Sequence, residues 1–340
     1  MATLRSDIII PEVFTPYVIE QTTQRDAFLA SGVVQPMAEL NAAEGGGDFI
    51  QVPYYKANLS GDFERLTDSS SLTPGKITAD KQVAAVLHRG RAFESRDLAA
   101  LAAGSDPMAA IGSKIADYIA NQRQKDLLSC CAGVFGAVGD TSSAAFAGLA
   151  VDGESGDTPT PLSVRQIVEG QSLLGDQGDK LAAICIHPKV YYDLKERRAL
   201  DFVYDNNGQA DASATQGSTA GAFGQVSVPT FMGMRVIVSA DLQTAGSGSS
   251  TEYVSYMFTQ GAIGSGEQMG LTTETDRDIL AKSDAMAIDL HYVYHPIGSK
   301  FSTSVSNPTR SQLETVGNWT KVYETNNIGI VRITNTSNLD

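Results

Sequence analysis

The pattern of apolar and polar residues between Phe49 and Phe93 predicts an extended hairpin. Alternation from Phe49 to Tyr55 is typical of a strand, and Val83 to Leu87 is a continuous apolar run. Lys56 to Gln82, between them, is mostly polar. An isolated hairpin is marginal in water, and a loop this long is usually functional or disordered. We therefore expect an outside surface, most simply another copy of the chain, to order it; the alternative is a mobile surface insertion.

Helical spacing of apolar residues predicts a long helix from Asp106 to Cys131, with Gly133 and Gly136 ending it. Asp106 can cap its N-terminus, and Pro107 fits the first helical position. Such a helix is roughly 40 Å long at about 1.5 Å per residue, far above the usual length. Its apolar face, and Ile115 with it, is expected in the core. The residues that set the spacing are Met108, Ile111, Ile115, Tyr118, Ile119 and Leu127.

The second half of the chain predicts a compact second domain of alternating helices and strands. A Gly- and Ser-rich stretch at residues 137–161 marks the boundary before it. The predicted elements are a helix at 163–174, a buried strand at 181–186, a short helix after His187-Pro188, and strands at 233–239, 253–259, 271–278, 286–294 and 327–334.

Composition and charge narrow the classes of function. The 340 residues carry a net charge of −14, which argues against a dedicated nucleic-acid binder because such a protein needs a basic face. Three cysteines, an odd and sparse set, are expected to be reduced and structural, as in a protein made in a cytosol. The N-terminus lacks a signal-peptide pattern, and no apolar run approaches the ~18 residues of a membrane span.

No catalytic or cofactor motif stands in its required context. His291 and His295 are four residues apart, as zinc ligands on a helix can be, but the alternation around them indicates a strand. Phosphate-binding glycine loops and a nucleophile elbow are both missing. Glu274, Asp276 and Asp278 are most simply one solvated face of a strand. We therefore expect no catalytic site, no cofactor and no metal.

The ordered set of segments resembles the major capsid proteins of tailed bacteriophages, which have the Hong Kong 97-type fold. The hairpin, from Gly47 to Phe93, corresponds to that family's extended loop, and Asp106 to Cys131 to its spine helix. The similarity covers nearly the whole chain. The remaining matching segments are Leu181–Leu194, Gly233–Leu242, Phe258–Ile263, Thr275–Asp278, Ile288–Gly298, Asn307–Leu313 and Asn318–Thr320.

The resemblance implies an α+β fold and a particular division of the chain. An N-terminal arm would comprise residues 1–44, the extended loop 45–93, the peripheral domain with its spine helix 94–136, and the axial domain 137–265. Return strands of the peripheral domain would occupy 266–305, and a segment closing on the axial domain 306–340. The loop would contact a neighbouring subunit through Tyr54, Leu59, Phe63, Arg65, Leu66, Leu72 and Ile77.

The implied function is structural: hexamers and pentamers forming an icosahedral shell that encloses double-stranded DNA without sequence specificity. The implied partners are further copies of the chain, a scaffolding protein during assembly and a portal protein at one vertex, with a decoration protein left open and no membrane. The chain lacks the scaffolding region that some members carry before processing, so we expect a separate scaffolding protein. We expect no N-terminal processing and no covalent crosslinking through Lys56 or Lys76.

The same resemblance places the protein in the virion capsid, assembled in the host bacterial cytoplasm. An encapsulin-like nanocompartment shell is the alternative with the same fold. A small-molecule enzyme built on the α/β-like second half is a weaker one, since only fold-level analogy supports it.

Overall fold

The structure is a computed structural model, and it describes residues 28, 31–41, 47–56, 63, 65, 77–103, 107–136, 138, 144–152, 160–197, 201–204, 227–247 and 251–339. Sixteen strands, five α-helices and five short 3₁₀ helices are assigned within these ranges. The strands are β1 (Val34–Pro36), β2 (Phe49–Tyr55), β3 (Ala79–Ala85), β4 (Leu87–Arg96), β5 (Ala150–Asp152), β6 (Leu181–Ile186), β7 (Asp201–Tyr204), β8 (Ser227–Phe231), β9 (Met234–Val238), β10 (Thr244–Ala245), β11 (Glu252–Thr259), β12 (Ile263–Asp278), β13 (Ser283–Pro296), β14 (Ser299–Phe301), β15 (Trp319–Lys321) and β16 (Ile330–Asn335). The helices are α1 (Asp97–Ala103), α2 (Pro107–Phe135), α3 (Val164–Ser172), α4 (Pro188–Glu196) and α5 (Arg310–Glu314).

Two larger sheets organise these elements. An eight-stranded mixed sheet has the order β5-β16-β11-β6-β9-β8-β7, with β10 pairing β11. A four-stranded sheet has the order β1-β12-β13-β4 and contains the two longest strands. The predicted hairpin is a separate antiparallel pair, β2 with β3, in which Phe49 lies opposite Ala85 and Tyr55 opposite Ala79. The chain is thus an α+β fold, as the sequence predicts.

The core lies against the eight-stranded sheet, whose central strands are apolar on both faces. Ile184, Val254, Met257 and Ile333 are all fully buried. The three cysteines are free and buried, and burial raises the pKa of each thiol, which keeps it protonated. This fits the predicted structural role.

The long helix begins at Pro107 as predicted, but its predicted end is wrong by four residues. It continues to Phe135 and ends at Gly136, whose φ of +82° suits glycine. Gly133 lies inside the helix instead of ending it. A side chain there would collide with the Leu313 carbonyl and the Trp319 indole, so glycine permits a close approach of the C-terminal segment.

The N-terminal half of this helix is less buried than its apolar spacing predicts. Ile115 is only half-buried in the single chain, so the expectation that it belongs to the core is wrong. Full burial begins in the second half, where Leu127, Cys131 and Val134 are at most 2% exposed. The long helix therefore joins the core through its C-terminal half.

A buried carboxylate ties the second half of the helix to three other segments. Asp126 is 0% exposed at its side chain and accepts hydrogen bonds from Arg89 Nε at 3.1 Å and Arg310 Nε at 2.5 Å. The hydroxyl of Tyr292 also donates to it, at 2.5 Å. Arg89, Tyr292 and Arg310 belong to β4, β13 and α5, so this one side chain links the helix, the four-stranded sheet and the C-terminal segment.

Candidate functional site

The paired part of the predicted hairpin, strands β2 and β3, is fixed to the rest of its own chain by Tyr54. We call this paired part the foot of the hairpin. The Tyr54 hydroxyl donates to the Val322 carbonyl at 3.1 Å, and its ring contacts the Tyr323 ring edge-to-face at 4.7 Å. Tyr54 is one of the residues predicted to contact a neighbouring subunit. In the single chain it packs on residues 322–323, and its role between subunits stays a prediction.

Gln82, on the opposite strand of the hairpin, completes this attachment. Its side-chain amide donates to the Tyr323 hydroxyl at 2.8 Å, while its carbonyl oxygen accepts from the Gly298 amide at 3.0 Å. That oxygen also lies 3.2 Å from His295 Nε2, so this ring nitrogen is the donor. Burial lowers the pKa of His295 to about 4, which keeps the imidazole neutral at neutral pH.

The outer part of the hairpin is exposed where the structure describes it. Tyr55 is 72% exposed, Phe63 109% and Ile77 55%. Arg65 is exposed as well. Leu59, Leu66 and Leu72 lie outside the described residues. Exposed aromatic and aliphatic side chains of this kind are typical of surfaces that contact another protein.

A second apolar surface lies at the turn between β12 and β13, and the sequence pattern did not indicate it. Ile279 is 74% exposed and Leu280 96%, and helix α1 carries Leu98 and Leu101 at 61% and 79%. Ile279 and Leu280 are adjacent in a turn, so they do not follow the spacing of apolar residues that is typical of a strand or a helix. Only their position between polar residues, from Asp278 to Lys282, could have pointed to them.

Arg277 holds the turn and helix α1 together. Its guanidinium donates to Asp97 at 2.7 Å and to Asp284 at 2.6 Å, and the Asp97 amide donates to the Lys282 carbonyl. These bonds tie the start of helix α1 to the turn at the end of the four-stranded sheet, and each of the two segments carries two exposed apolar residues. We call Leu98, Leu101, Ile279 and Leu280 the end cluster.

The histidines and carboxylates singled out from the sequence do not form a reactive site. His291 lies on β13, as predicted, and stacks on His88 at 4.2 Å, whereas His295 faces Gln82. Glu274, Asp276 and Asp278 are exposed along β12, as expected of a solvated face.

The described part of the chain contains neither a metal-binding cluster nor a membrane-spanning helix. No group of three or more histidine, cysteine or acidic side chains is arranged to hold a metal there. Within the same ranges, every helix is too short or too polar to cross a membrane.

Comparison with known proteins identifies a family. The family described as Gp13-like, "Major capsid protein 13-like", matches residues 12–328. The major capsid protein of Bacillus phage SPP1 is 36% identical over 336 residues, which cover 96% of each chain.

Solved structures show the same fold at much lower sequence identity. The capsid asymmetric unit of cyanophage Pam1 matches with a TM-score of 0.61 at 11% identity, covering 97% of this chain and 98% of that one. The capsid of cyanophage P-SCSP1u matches with a TM-score of 0.57 at 11% identity, covering 97% and 94%. These structures support the Hong Kong 97-type fold predicted from the sequence.

The family match and the relative from phage SPP1 together favour the phage shell over the encapsulin-like and enzymatic alternatives. An exposed hairpin on an anchored foot suits such a subunit, whose role is structural and whose place is the virion capsid. The chain belongs to the Gp13-like family of major capsid proteins of tailed phages.

Proposed function

We propose that copies of this chain form hexamers and pentamers that close into an icosahedral shell around double-stranded DNA, with each hairpin lying on a neighbouring subunit. The observation that carries the proposal is the contrast within the hairpin. Tyr54 and Gln82 bind its foot to residues 298 and 322–323, whereas Phe63 and Ile77 are exposed. A rigid foot reduces the conformational entropy lost when the outer part docks.

Charge supports the same contact. The chain has a net charge of −14, so two copies repel each other on average. The excursion from Lys56 to Gln82 is neutral, with four basic residues (Lys56, Arg65, Lys76, Lys81) and four acidic ones (Asp62, Glu64, Asp68, Asp80). A neutral segment can lie on an acidic neighbour without the full like-charge penalty.

The finer parts of the assembly belong to this proposal as well. They are the division into arm, loop, peripheral and axial domains, a separate scaffolding protein, a portal at one vertex and assembly in the host cytoplasm. A decoration protein stays open. The acidic chain suits an inner wall that does not retain packaged DNA.

The end cluster is a second surface for contact between copies. Its four side chains are each more than 60% exposed, and Arg277 ties the start of helix α1 to the β13 side of the turn. The end cluster belongs to the four-stranded sheet, whereas the β2–β3 hairpin is a separate pair, so the two surfaces can serve different neighbours.

The hairpin contact is tested by removing its exposed apolar side chains. The double variant Phe63→Ser, Ile77→Ser should fold as the parent does, because neither side chain is buried in the single chain. It should form few or no closed particles, since removal of an apolar side chain that anchors an interface costs about 2 kcal/mol of binding free energy. Circular dichroism checks the fold, and negative-stain electron microscopy counts the particles.

The matched control is Phe63→Tyr, Ile77→Val, which keeps both side chains largely apolar and similar in size. It should assemble at close to the parental yield. Parental particle numbers from the double serine variant would show that the hairpin does not hold neighbouring subunits together.

A further inference from the structure

His295 is a buried histidine at the place where the foot of the hairpin meets the rest of the chain. It is 3% exposed, and its Nε2 donates to the Gln82 side-chain oxygen at 3.2 Å. The same oxygen accepts from the Gly298 amide at 3.0 Å, and the Gln82 side-chain amide donates to the Tyr323 hydroxyl. The Trp319 indole stacks on the imidazole, with the ring centroids 6.5 Å apart. The contacts that attach the foot therefore also enclose this ring.

Among the described residues, the groups packed against the imidazole carry no charge. They are Gln82 from β3, Gly264 from β12, Ser299 from β14 and Trp319 from β15. The carboxylates of Asp80 and Glu324 act instead on Tyr54, where they add to the effect of burial in raising the pKa of the hydroxyl. A proton taken up by His295 therefore stays without a paired negative charge as long as the ring is enclosed.

Of the four side chains that make the attachment, His295 is the one that gains charge between pH 7 and pH 4. Burial lowers its pKa from 6.5 to about 4, and the backbone of Ser299 opposes that shift. Burial raises the pKa of Tyr54 and of Tyr323, so both hydroxyls stay protonated throughout this range. The amide of Gln82 does not titrate. The attachment thus contains a single titrating group, and its pKa is lower in the enclosed state than in water.

We propose that this attachment is an acid-sensitive latch: when His295 takes up a proton, Tyr54 and Gln82 detach from residues 298 and 322–323 and the ring reaches water. A charge without a paired charge is costly to bury, so the proton favours the detached state. Within the described residues, β2 and β3 pair with each other and with no other strand, so detachment breaks no strand pairing. The inference rests on the attached foot, and it adds a means by which the hairpin is freed from its own chain.

The direction and the size of the effect follow from the two pKa values of His295. The latch is most stable above pH 6.5, where the ring is neutral in both states, and it weakens as the pH falls toward about 4. From pH 7.5 to pH 5, the ratio of detached to attached chains should rise about 30-fold, because the detached ring has the ordinary pKa of 6.5.

Hydrogen exchange of the unassembled full-length chain at these two pH values measures this ratio. The exchange rate of the Gly298 amide, divided by its intrinsic rate at each pH, should rise about 30-fold at pH 5. The Met257 amide should stay better protected than that of Gly298 at both pH values, because β11 pairs with a strand on each side. His295→Gln keeps an amide that can donate to Gln82 but does not titrate, so its Gly298 amide should change by less than about threefold. The matched control is His187→Gln, which removes a histidine at the start of α4 and should keep the full change.

Three results overturn the latch. They are unchanged protection of the Gly298 amide in the parent, protection of Gly298 equal to that of Met257 at pH 5, and an undiminished pH response in His295→Gln. The second result would mean that acid unfolds the whole chain, and the first two need no variant. Because unassembled chains are measured, each of these results leaves the proposed shell intact, which the serine variant of the hairpin tests separately by particle counts.

Discussion

At the scale of the residue, Gly133 sets how closely the C-terminal segment approaches the long helix. The Trp319 indole nitrogen donates to the Leu313 carbonyl at 2.6 Å directly over this glycine. A glycine inside a helix costs about 1 kcal/mol relative to alanine, so its presence here indicates a packing requirement. Since Leu313 and Trp319 lie far from Gly133 in sequence, the local pattern instead predicts an end to the helix.

Gly133→Ala should destabilise the protein by about 1–3 kcal/mol, because the methyl group forces the backbone at Leu313 and the Trp319 ring to move. Gly112→Ala is the control in the same helix, where nothing lies within 4 Å of the added methyl group. It should be neutral or stabilising by up to about 1 kcal/mol. Chemical denaturation of both variants measures the difference; equal effects would contradict a packing role for Gly133.

At the scale of the element, sequence periodicity is informative where one segment determines its own structure. The hairpin strand Phe49–Tyr55 and the start of the long helix at Pro107 appear as predicted, because alternation and a helix-starting proline are local signals. β3 begins at Ala79, four residues before the predicted apolar run, because pairing with β2 extends it over polar residues. Ile115 has the helical spacing of a core residue, yet its burial depends on what lies beside the helix.

At the candidate site, too, the sequence predicts only what a single segment determines by itself. The exposed apolar residues Phe63 and Ile77 could be anticipated, since they stand alone in a polar excursion. The foot of the hairpin could not, because Tyr54 and Gln82 meet residues more than 200 positions away. The end cluster was missed for a similar reason: α1 and the β12–β13 turn come together only through the register of the sheet.

Asp126 gives a prediction about how elements are joined. Asp126→Asn should destabilise the protein by about 1–3 kcal/mol, because the partly exposed guanidinium groups of Arg89 and Arg310 lose their shared, buried carboxylate. Thermal and chemical unfolding measure the loss. Asp97→Asn is the control, since Asp97 pairs with Arg277 on the surface and its removal should have a much smaller effect. A comparable loss in both variants would contradict the role assigned to Asp126.

At the scale of the whole molecule, the most exposed apolar side chains of the described residues lie on the hairpin and on the end cluster. The hairpin offers Phe63 and Ile77, and the end cluster lies on the four-stranded sheet. A monomer gains nothing from solvent-exposed leucine and isoleucine at 74% to 96% exposure, whereas the proposed contact between copies would bury them. If the two surfaces serve different neighbours, losing one should stop assembly at a different stage from losing the other.

The variant Ile279→Ser, Leu280→Ser tests that separation. It should fold with the parental Tm, because both side chains are exposed in the single chain. It should also fail to complete closed particles, while small oligomers that depend on the hairpin still form. The hairpin variant Phe63→Ser, Ile77→Ser should lose both the closed particles and those small oligomers. Size-exclusion chromatography with light scattering distinguishes monomers, small oligomers and shells.

Ile279→Val, Leu280→Met is the conservative control and should assemble. Parental shells from the serine variant would show that the end cluster is a solvent-facing turn, and an identical block in both serine variants would show that the two surfaces act in one contact.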